Sequence, residues 1–378
     1  MKRKVVHITN FGTLGGVQSY LYGVNSKDNN SLLLSTRKPL DFYLKQKNIK
    51  KNISSLSFFS LPFVFDKKSL VIHNLILSKI WPFLCFSQKL AKKPLIYHEH
   101  GIAWHSPIKN RKKYIKRISK VDCVIVNSRA TARLLKEKYL ITKKINVLKC
   151  PIFLYDNAKK TSNKNFFRNS LEKGYLKIGF MGRLEAHKNP IFLLELARTL
   201  NQVYGLKAEI DFLGLGSQIN FLKSQALEMK VNAKFVGLVK NRKKFIEKWD
   251  FAIYPSLREP LGLVQGEMAL MGKLCLSSNV DGIPEVYPRS MNELLIKMVR
   301  SSTITNYQEN FQFIPELDDF SQNFSPDIDD CCVKILRIVK NPELYQKILN
   351  KHRKFLASNF CIDKHIIELN KLLGKYSK

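Results

Sequence analysis

The chain has few acidic residues and no long apolar run. Only 30 of its 378 residues are Asp or Glu, against 64 Lys or Arg. No run of about 18 apolar residues occurs, the length that a membrane-spanning helix needs. Lys79 and Gln88 interrupt the most apolar region, residues 70–90. The apolar stretch after Met1 is too short for a signal peptide, so we expect none.

Paired cysteine motifs are also missing. The seven cysteines form no Cys-x-x-Cys pair and show no His/Cys spacing typical of a zinc site. They are predicted to be reduced thiols in the protein core. This usage indicates a reducing compartment, which we take to be the cytoplasm.

The positive charge is concentrated in the first half of the chain. Residues 1–170 hold 34 Lys or Arg and 7 Asp or Glu, a net charge of +27, which leaves +7 for residues 171–378. A field of this size attracts an anionic partner, which would be a lipid surface, a phosphorylated acceptor or nucleic acid. The basic residues do not form a recognisable nucleic-acid-binding module with stacking aromatics, so nucleic acid is not expected.

The densest basic run is Lys109–Lys120. Its apolar edge consists of Ile108, Tyr114, Ile115 and Ile118. The run is predicted to be either a helix on a membrane surface or a solvated helix whose apolar edge packs on its own domain, because both share this pattern.

The chain is long enough for two domains, each with its own core. Apolar runs followed by turns and amphipathic segments predict parallel strands and an α/β fold. The polar, aperiodic residues 156–170 predict an interdomain linker. The predicted domains are therefore residues 1–160 and 171–350, followed by a helical tail at 351–378.

The chain from Pro255 to Glu267 follows the apolar strand Phe251–Tyr254. A helix predicted to start at Leu261 places Glu259 on the turn and Glu267 about two turns into the helix. Eight helical residues span roughly 12 Å, more than the about 5 to 9.5 Å that separates a glycosidase pair. The two carboxylates therefore suit two separate hydroxyl-bearing rings, or are simply solvated. The free amide donors at this helix end would be those of Leu261, Gly262 and Leu263.

Two further turns follow predicted strands in the second half. Arg183 and Lys188 flank a helix start with Pro190 in its first turn, and they are either a diphosphate site or two surface cations. Gly214 and Gly216 form a Gly-x-Gly at the position where nucleotides bind in such sheets. In the first half, Gly15 and Gly16 follow the first strand, either as an ordinary tight turn or as a place of close ligand approach.

Two motifs raise the question of a metal. His98 and His100 flank Glu99 after the strand 95–97, and they would point to opposite sides if the strand continued. A metal, a hydrogen-bonded histidine pair, or a contact with a sugar or acceptor all stay open there. Asp327-Ile-Asp329 matches an Asp-x-Asp motif, but Ser325 as the cap of a helix start, with no strand before it, explains these acids better.

Several of these motifs together resemble the retaining glycosyltransferases of family four. Glu259-Pro-Leu-Gly-Leu-Val-Gln-Gly-Glu267 resembles their pair of glutamates separated by seven residues. Gly182-Arg-Leu followed by Lys188 resembles their Gly-Arg-Leu, three residues, Lys pattern, and Gly15-Gly16 their Gly-Gly turn. Asp281-Gly-Ile-Pro-Glu285 resembles their Gly-Gly-x-Pro-Glu turn, with Asp281 in place of the first glycine. The resemblance covers most of the chain, and most strongly residues 176–287.

The resemblance implies a GT-B-type fold of two Rossmann-like domains facing a central cleft, with the C-terminal helix crossing back to the first domain. It implies that Arg183 and Lys188 neutralise the leaving diphosphate, that Glu259 holds the sugar and that Glu267 holds the ribose. The backbone at Leu238 and Val239 would read the base. His100, or alternatively His98, would contact the sugar near the reacting carbon. Retention of configuration and no metal or other cofactor are implied.

The sequence thus predicts a glycosyltransferase that uses a nucleotide-diphosphate sugar. The acceptor would be an anionic lipid-linked saccharide, lipopolysaccharide or surface polysaccharide at the inner face of the cytoplasmic membrane. Three alternatives are a basic nucleic-acid-binding protein, a phosphorylase and a non-catalytic sugar-binding relic. The presence of Arg183, Lys188, Glu259 and Glu267 together argues against the relic.

Overall fold

A computed structural model of the protein describes residues 5–11, 15–27, 31–38, 53–55, 69–90, 92–106, 108–153, 175–239, 241–301 and 311–376. The predicted linker, residues 156–170, lies outside the described residues. The chain divides into two units, of which the first is Met1–Phe153 with Phe360–Lys378 and the second is Leu154–Asn359. No helix within the described ranges has the length and apolar character needed to cross a bilayer.

The first unit contains a seven-stranded parallel sheet in the order β3-β2-β1-β4-β5-β6-β7. Its strands are β1 (Val5–Thr9), β2 (Ser31–Ser35), β3 (Ile53–Ser55), β4 (Ser69–His73), β5 (Leu95–Glu99), β6 (Cys123–Val126) and β7 (Ile145–Val147). The chain order reverses between β1 and β4, and the carboxyl ends of strands at such a reversal are where open α/β sheets bind ligands.

Helices flank this sheet. They are α1 (Gly16–Lys27), α2 (Trp81–Leu90), α3 (Ile102–His105), α4 (Ile108–Ile118) and α5 (Arg129–Arg133), which continues as a π-helical turn through Leu134–Lys138. Ser128 caps α5, because its hydroxyl accepts a hydrogen bond of 3.0 Å from the Thr131 amide.

The C-terminal helix α12 (Ile362–Gly374) belongs to the first unit. Its Leu369 and Leu373 pack in the core against Val5, Val71 and Ile96. The preceding helix α11 (Pro342–Asn359) belongs to the second unit. The change of unit therefore occurs after Asn359, whereas the sequence analysis set that boundary at 351.

The second unit contains a six-stranded sheet in the order β10-β9-β8-β11-β12-β13. Its strands are β8 (Tyr175–Met181), β9 (Lys207–Leu213), β10 (Asn232–Gly237), β11 (Phe251–Tyr254), β12 (Leu274–Ser278) and β13 (Leu295–Ile296). Two antiparallel ribbons accompany it, β14 (Met298–Arg300) with β17 (Phe324–Pro326) and β15 (Gln312–Ile314) with β16 (Asp319–Ser321). The predicted strand β11 is buried at every residue between β8 and β12, and the expectation of an α/β fold with two Rossmann-like sheets is confirmed.

The helices of the second unit are α6 (Ile191–Tyr204), α7 (Ile219–Glu228), α8 (Lys243–Ile246), α9 (Leu263–Leu270), α10 (Ile328–Val339) and α11. The start of α10 differs from the sequence prediction. Asp327, not Ser325, is the cap, since its carboxylate accepts from the amides of Asp329 and Asp330 at 2.9 and 3.3 Å. Ser325 instead lies in β17, so a strand does precede this motif.

Candidate functional site

In the second unit, the loop after β8 meets the loop after β11. The Lys188 ammonium forms an ion pair with the Glu259 carboxylate. Both side chains are mostly buried, with 18% and 16% of their surfaces exposed. Beside this pair the Leu257 amide donates to the His187 carbonyl at 2.9 Å. The two residues that the sequence analysis assigned to the diphosphate and to the sugar are therefore in direct contact.

Positive charge is concentrated around this ion pair. Burial, and then the charges of Lys188, Arg183 and Arg258, lower the pKa of His187 to about 3. All three cations thus lie within electrostatic reach of one imidazole, which stays neutral at pH 7. The Arg183 side chain is exposed and is available to an incoming anion, whereas Arg258 is buried and donates to the Phe311 carbonyl.

Asp281 holds the backbone of Glu259 in place. One Asp281 oxygen accepts from the Glu259 amide at 2.9 Å and the other accepts from the Phe313 amide at 2.9 Å. Burial raises the pKa of Asp281 to about 7, while the Arg258 charge and the two amide donors act in the opposite direction. This residue replaces a family glycine, and the structure shows it as a brace between the Glu259 loop and β15.

Gly282 completes this brace. Its amide donates to the Glu259 carbonyl at 3.1 Å. A Cβ atom on Gly282 would lie 2.0 Å from the Pro260 carbonyl oxygen, so a larger residue does not fit without moving the backbone. The 281–285 turn is therefore packed directly on the loop that carries Glu259.

The predicted start of the helix after Glu259 is wrong by two residues. Helix α9 begins at Leu263 rather than Leu261, because Gly262 has φ of 90°, a left-handed conformation that ends the preceding turn. Leu261 is buried, and Glu267 lies little more than one turn into the helix. The amide of Leu263 is at the helix start, and those of Leu261 and Gly262 belong to the turn before it.

Arg242 is a residue that the sequence analysis missed. Its Nη1 lies 3.2 Å from Oε2 of Glu267, and the two side chains are 19% and 16% exposed. It stands in a run of basic residues, 240–244, where no spacing distinguishes one cation from the next. The structure therefore gives each glutamate of the motif its own cationic partner.

Close packing between two loops explains why residues 214 and 216 are glycines. Added Cβ atoms would lie 1.9 Å from the Gly182 carbonyl oxygen and 2.3 Å from that of Leu184. The amides of Gly182 and Leu184 donate to the carbonyls of Leu213 and Leu215 at 2.9 and 3.0 Å. Both glycines thus allow the loop after β9 to support the backbone of the Arg183–Lys188 loop. Leu238 is exposed and Val239 is partly buried after β10.

The first unit holds the remaining predicted residues. Gly15 and Gly16 are exposed at the start of α1, and a Cβ atom on Gly16 would meet nothing within 4 Å. His98 and His100 do not point to opposite sides, because their ring centroids are 3.9 Å apart. The strand ends at Glu99, and the chain turns at Gly101, with φ of 158°, into α3.

Glu99 is directed away from the two histidines between which it stands. Its carboxylate accepts from the hydroxyls of Tyr97 and Tyr114 at 2.8 and 2.6 Å. It also accepts from the Gly101 amide at 2.5 Å, next to the first turn of α3. Glu99 is therefore a buried structural carboxylate.

Five of the eight histidines form one group, which we call the histidine cluster. Its members are His7, His73, His98, His100 and His365. Burial is the main cause of a lowered pKa in all five. The pKa is about 3 for His7 and His100 and about 4 for His365, and it is also lowered in His73 and His98. The cluster is therefore neutral at pH 7.

Hydrogen bonds connect the cluster. His7 Nδ1 lies 2.9 Å from His73 Nε2, and His73 Nδ1 lies 3.0 Å from His100 Nε2. His365 Nδ1 donates to the Lys149 carbonyl at 2.8 Å, so its Nε2 accepts from the Tyr20 hydroxyl at 2.8 Å. His73, His98 and His100 lie at the carboxyl ends of β4 and β5, whereas His7 lies within β1 and His365 on α12.

Comparison of the amino-acid sequence with known proteins identifies a family model and a similar protein. The sequence model of the family described as glycosyl transferases group 1 matches residues 161–307. An uncharacterized 41.2 kDa protein in the cps region of Klebsiella pneumoniae is 26% identical over 332 residues, which are 81% of this chain and 89% of that protein.

Solved structures match the chain over almost its full length. Anabaena Alr3699/HepE in complex with UDP and glucose has a TM-score of 0.74 at 15% identity, over 98% of this chain and 99% of that one. The same protein with UDP-glucose has a TM-score of 0.73 at 18% identity. The lipopolysaccharide outer core galactosyltransferase WaaB has a TM-score of 0.60 at 12% identity, over 98% of this chain and 99% of that one. The predicted fold is thereby confirmed.

Proposed function

We propose that this glycosyltransferase, which has the GT-B fold and whose residues 161–307 match the group 1 family, transfers a sugar from a nucleoside diphosphate sugar with retention of configuration. The acceptor in this proposal is a lipid-linked saccharide, lipopolysaccharide or surface polysaccharide. Two observations support the choice of substrates. HepE, which shares the fold, has a structure in complex with UDP-glucose. A protein that is 26% identical lies in a cps region, and WaaB, which shares the fold, is a lipopolysaccharide outer core galactosyltransferase.

The observation that carries the proposal is the contact between Lys188 and Glu259. A donor sugar has its diphosphate on one side of the bond to be broken and its ring on the other. A cation and a carboxylate in contact are spaced to hold these two parts of one molecule. Without a donor they neutralise each other. With a donor, Lys188 pairs with the diphosphate, and Glu259 accepts hydrogen bonds from the sugar hydroxyls.

The chemistry in this proposal is electrostatic. Negative charge grows on the leaving diphosphate as the glycosidic bond breaks, and cations held in place stabilise that charge. Lys188 is fixed by its short helical turn, Ala186–Lys188, and the exposed Arg183 supplies a second charge. Two side-chain cations can do at the diphosphate what a divalent ion does elsewhere, so we propose a transfer that is independent of metal.

The other predicted contacts remain part of the proposal. Glu267, held by Arg242, would bind the ribose, and the backbone at Leu238 and Val239 would meet the base. The amides at the start of α9 would face the donor. In the first unit, Gly15, Gly16 and His100 would contact the sugar or the acceptor, and all three lie at carboxyl ends of parallel strands or on the turns that follow them.

We also propose that the first unit docks on an anionic membrane surface through α2 and α4. In α4, Tyr114 and Ile118 are fully buried, so its apolar edge packs on its own unit. Its exposed side chains include Lys112, Lys113 and Lys116. These three provide electrostatic attraction to anionic lipid without inserting into the membrane.

The apolar contribution comes from α2. Phe83, Phe86 and Leu90 lie at helical spacing and are 42%, 64% and 65% exposed. Arg117 connects the two helices, since its Nη1 donates to the carbonyls of Ile76 and Ser78 at 2.6 and 2.7 Å, just before α2. An apolar stripe beside a cationic helix is the arrangement that interfacial proteins use.

A ligand panel tests the transfer proposal. The unfolding temperature of the full chain is measured with nucleoside diphosphates, nucleotide sugars, inorganic phosphate and single- and double-stranded nucleic acid. At 100 times its dissociation constant, a nucleotide sugar adds about 2.7 kcal/mol to the free energy of unfolding. Stabilisation by nucleic acid, but by no nucleotide sugar, would show that the basic surface serves a different partner and would defeat the proposal.

A further inference from the structure

We propose that the histidine cluster of the first unit binds a divalent transition-metal ion of the zinc class through His73, His98 and His100. The three side chains each offer one nitrogen, and these nitrogens all lie within 4.8 Å of one another. The site lies in the first unit, whereas Lys188 and Glu259 belong to the second, and the inference does not rest on the proposed transfer reaction. A bound ion would replace the contact with the sugar or acceptor that is proposed for His100.

The distances fit one shared ion. Tetrahedral zinc holds imidazole nitrogens at about 2.0–2.1 Å, which places two of them about 3.4 Å apart. His73 Nδ1 and His100 Nε2 are already 3.0 Å apart. The third nitrogen, from His98, lies within 4.8 Å of a nitrogen of each of the other two histidines.

A bound metal would explain why His98 is buried without hydrogen bonds to its ring nitrogens. It is fully buried, and neither of its ring nitrogens has a hydrogen-bond partner among the described residues. A buried polar atom without a partner costs free energy. Its ring lies against that of His100, with centroids 3.9 Å apart, and one of its nitrogens lies within 4.8 Å of a nitrogen of each of the other two histidines.

The residues around the ligands also suit a metal. If His73 binds through Nδ1, its Nε2–H donates to His7 Nδ1 at 2.9 Å. If His100 binds through Nε2, its Nδ1–H faces the Cys150 sulfur at 3.8 Å. Metal-bound histidines usually hold their second nitrogen by such a partner, which fixes the tautomer. Without an ion, His73 Nδ1 and His100 Nε2 must instead share a single proton.

The ligand set selects the class of ion. Three neutral imidazoles suit zinc, copper, iron or nickel better than magnesium or calcium, which prefer oxygen. Glu99 is directed to Tyr97 and Tyr114 and supplies no oxygen. His100 is the partly exposed ligand of the three, so the ion enters on its side, and a fourth position there is left for water.

Co²⁺ is the probe for the test, because its visible absorption depends on its coordination geometry. The full chain, with any affinity tag removed, is stripped with a chelator and titrated with Co²⁺ while its visible absorption is recorded. We expect one ion per chain, the intense visible bands of tetrahedral cobalt, and displacement by Zn²⁺. Absence of stoichiometric binding by the folded wild-type chain overturns the inference without the use of any variant.

Substitutions of single histidines identify the residues that bind the ion. His98→Gln and His73→Gln should each weaken binding at least 100-fold, and His7→Phe should weaken it about 10- to 100-fold through the loss of support for His73. His105→Gln, at an exposed site, and His352→Gln, at a buried site in the second unit, are the controls and should leave binding unchanged. Circular dichroism verifies folding. Equal cobalt binding by folded His98→Gln overturns the inference.

The ligand panel separates this inference from the transfer proposal. Binding of nucleotide sugars is measured on the stripped and on the metal-loaded chain. Nucleotide-sugar binding with no bound metal refutes only the metal site. Stoichiometric metal without nucleotide-sugar binding refutes only the transfer proposal.

Discussion

Lys188 and Glu259 neutralise each other in the structure, and this explains how charged side chains remain in a mostly buried position before a donor arrives. The pair is partly solvated, so its own contribution to the free energy of unfolding is small, at most about 1 kcal/mol. Its role in the proposal lies in the transition state, where the charge on the diphosphate is largest. Substitutions at these positions should therefore affect turnover far more than stability.

At the residue scale, we predict that Lys188→Ala lowers kcat by about 10²- to 10³-fold, the usual loss when one donor to a developing anion is removed. Glu259→Gln should keep the affinity for the bare nucleoside diphosphate and lose the discrimination between nucleotide sugars. Steady-state kinetics and calorimetric titration of nucleotide and nucleotide sugar measure these effects.

The matched control is Lys334→Ala. Lys334 also pairs with a carboxylate in the second unit, that of Asp330 one turn away on α10. We expect wild-type kcat from it. If Lys188→Ala retained full turnover, or if Lys334→Ala lost as much, the assignment of Lys188 to the leaving group would be wrong.

Single residues were predictable from the sequence where a motif fixed both type and spacing. Lys188 and Glu259 are 71 positions apart, yet both were predicted, because each stands after a strand in a motif that resembles one of family-four glycosyltransferases. The contact of Arg242 and the bracing role of Asp281 were not predictable from the sequence. Their partners are set by tertiary contacts, and neither contact has a local pattern in the sequence.

At the element scale, Gly262 determines where α9 begins. An L residue with φ of 90° is strained by about 1–2 kcal/mol, and a Cβ atom there would also lie 2.9 Å from Gln265 Oε1. We predict that Gly262→Ala lowers the free energy of unfolding by more than about 1 kcal/mol and weakens nucleotide-sugar binding. The reason is that the first turn of α9, with its free amides, must shift.

Gly205→Ala is the control for backbone strain without a steric clash. Gly205 also has positive φ, at 65°, but open space surrounds it after α6. Its alanine variant should lose about 1 kcal/mol in urea unfolding and bind nucleotide sugar like the wild type. Equal loss of binding in both variants would mean that the effect at Gly262 is general destabilisation.

The apolar and cationic faces of α2 and α4 lead to a prediction about membranes. Changing Phe83, Phe86 and Leu90 together to Ser should reduce binding to vesicles of both high and low anionic lipid content. Changing Lys112, Lys113 and Lys116 together to Glu should abolish only the part that depends on anionic lipid and on low salt. Vesicle co-sedimentation at two ionic strengths distinguishes the two effects.

Arg117 is deliberately left unchanged in that series, because its bonds to Ile76 and Ser78 maintain the fold. The exposed Val203 on α6 of the second unit is an apolar control, and Val203→Ser should have no effect on co-sedimentation. Unchanged partitioning of both triple variants would contradict membrane docking through this surface.

Elements were predicted best where hydrophobic periodicity was strong. The buried strand β11 was expected from its run of apolar residues. The exact start of α9 was not, because a left-handed Gly262 is a property of the loop packing and not of the apolar pattern. For α4, the pattern could not distinguish a lipid-facing edge from a core-facing edge, and the burial of Tyr114 and Ile118 decides this.

At the scale of the whole molecule, the two units differ in how they respond to acid. The first unit contains five buried histidines whose pKa values are lowered, to about 3 for His7 and His100. In the second unit, His187 and His352 are lowered to about 3 and 4. In the same unit, Asp281 has the opposite effect on the pH dependence of stability, since its pKa is raised to about 7. Residue counts do not predict this asymmetry, because the burial of the side chains creates it.

The sign of the effect follows from proton binding. An unfolded histidine takes up a proton near pH 6.5. The pKa of the folded histidines is lowered, to about 3 for His7 and His100 and to about 4 for His365, so below pH 6.5 the unfolded chain binds more protons. The free energy of unfolding therefore falls as pH decreases below about 6.5, by about 2 kcal/mol at pH 5 for each histidine that stays neutral. Asp281 acts in reverse between its unfolded pKa of 3.8 and about 7, because there the folded state binds the additional proton.

We therefore predict that acidification from pH 7 to pH 5 opens the first unit before the second. Hydrogen–deuterium exchange of the metal-free chain, corrected for the intrinsic pH dependence of exchange, should show loss of protection in β1, β4 and β5 while β8 and β11 stay protected. His7→Phe should reduce the acid sensitivity of the first unit, since it removes one group that must stay neutral. His105→Gln, at an exposed histidine, should leave the pH profile unchanged. Equal loss of protection in both sheets, or earlier loss in the second, would contradict the prediction, because five neutral imidazoles in one core must destabilise that core first.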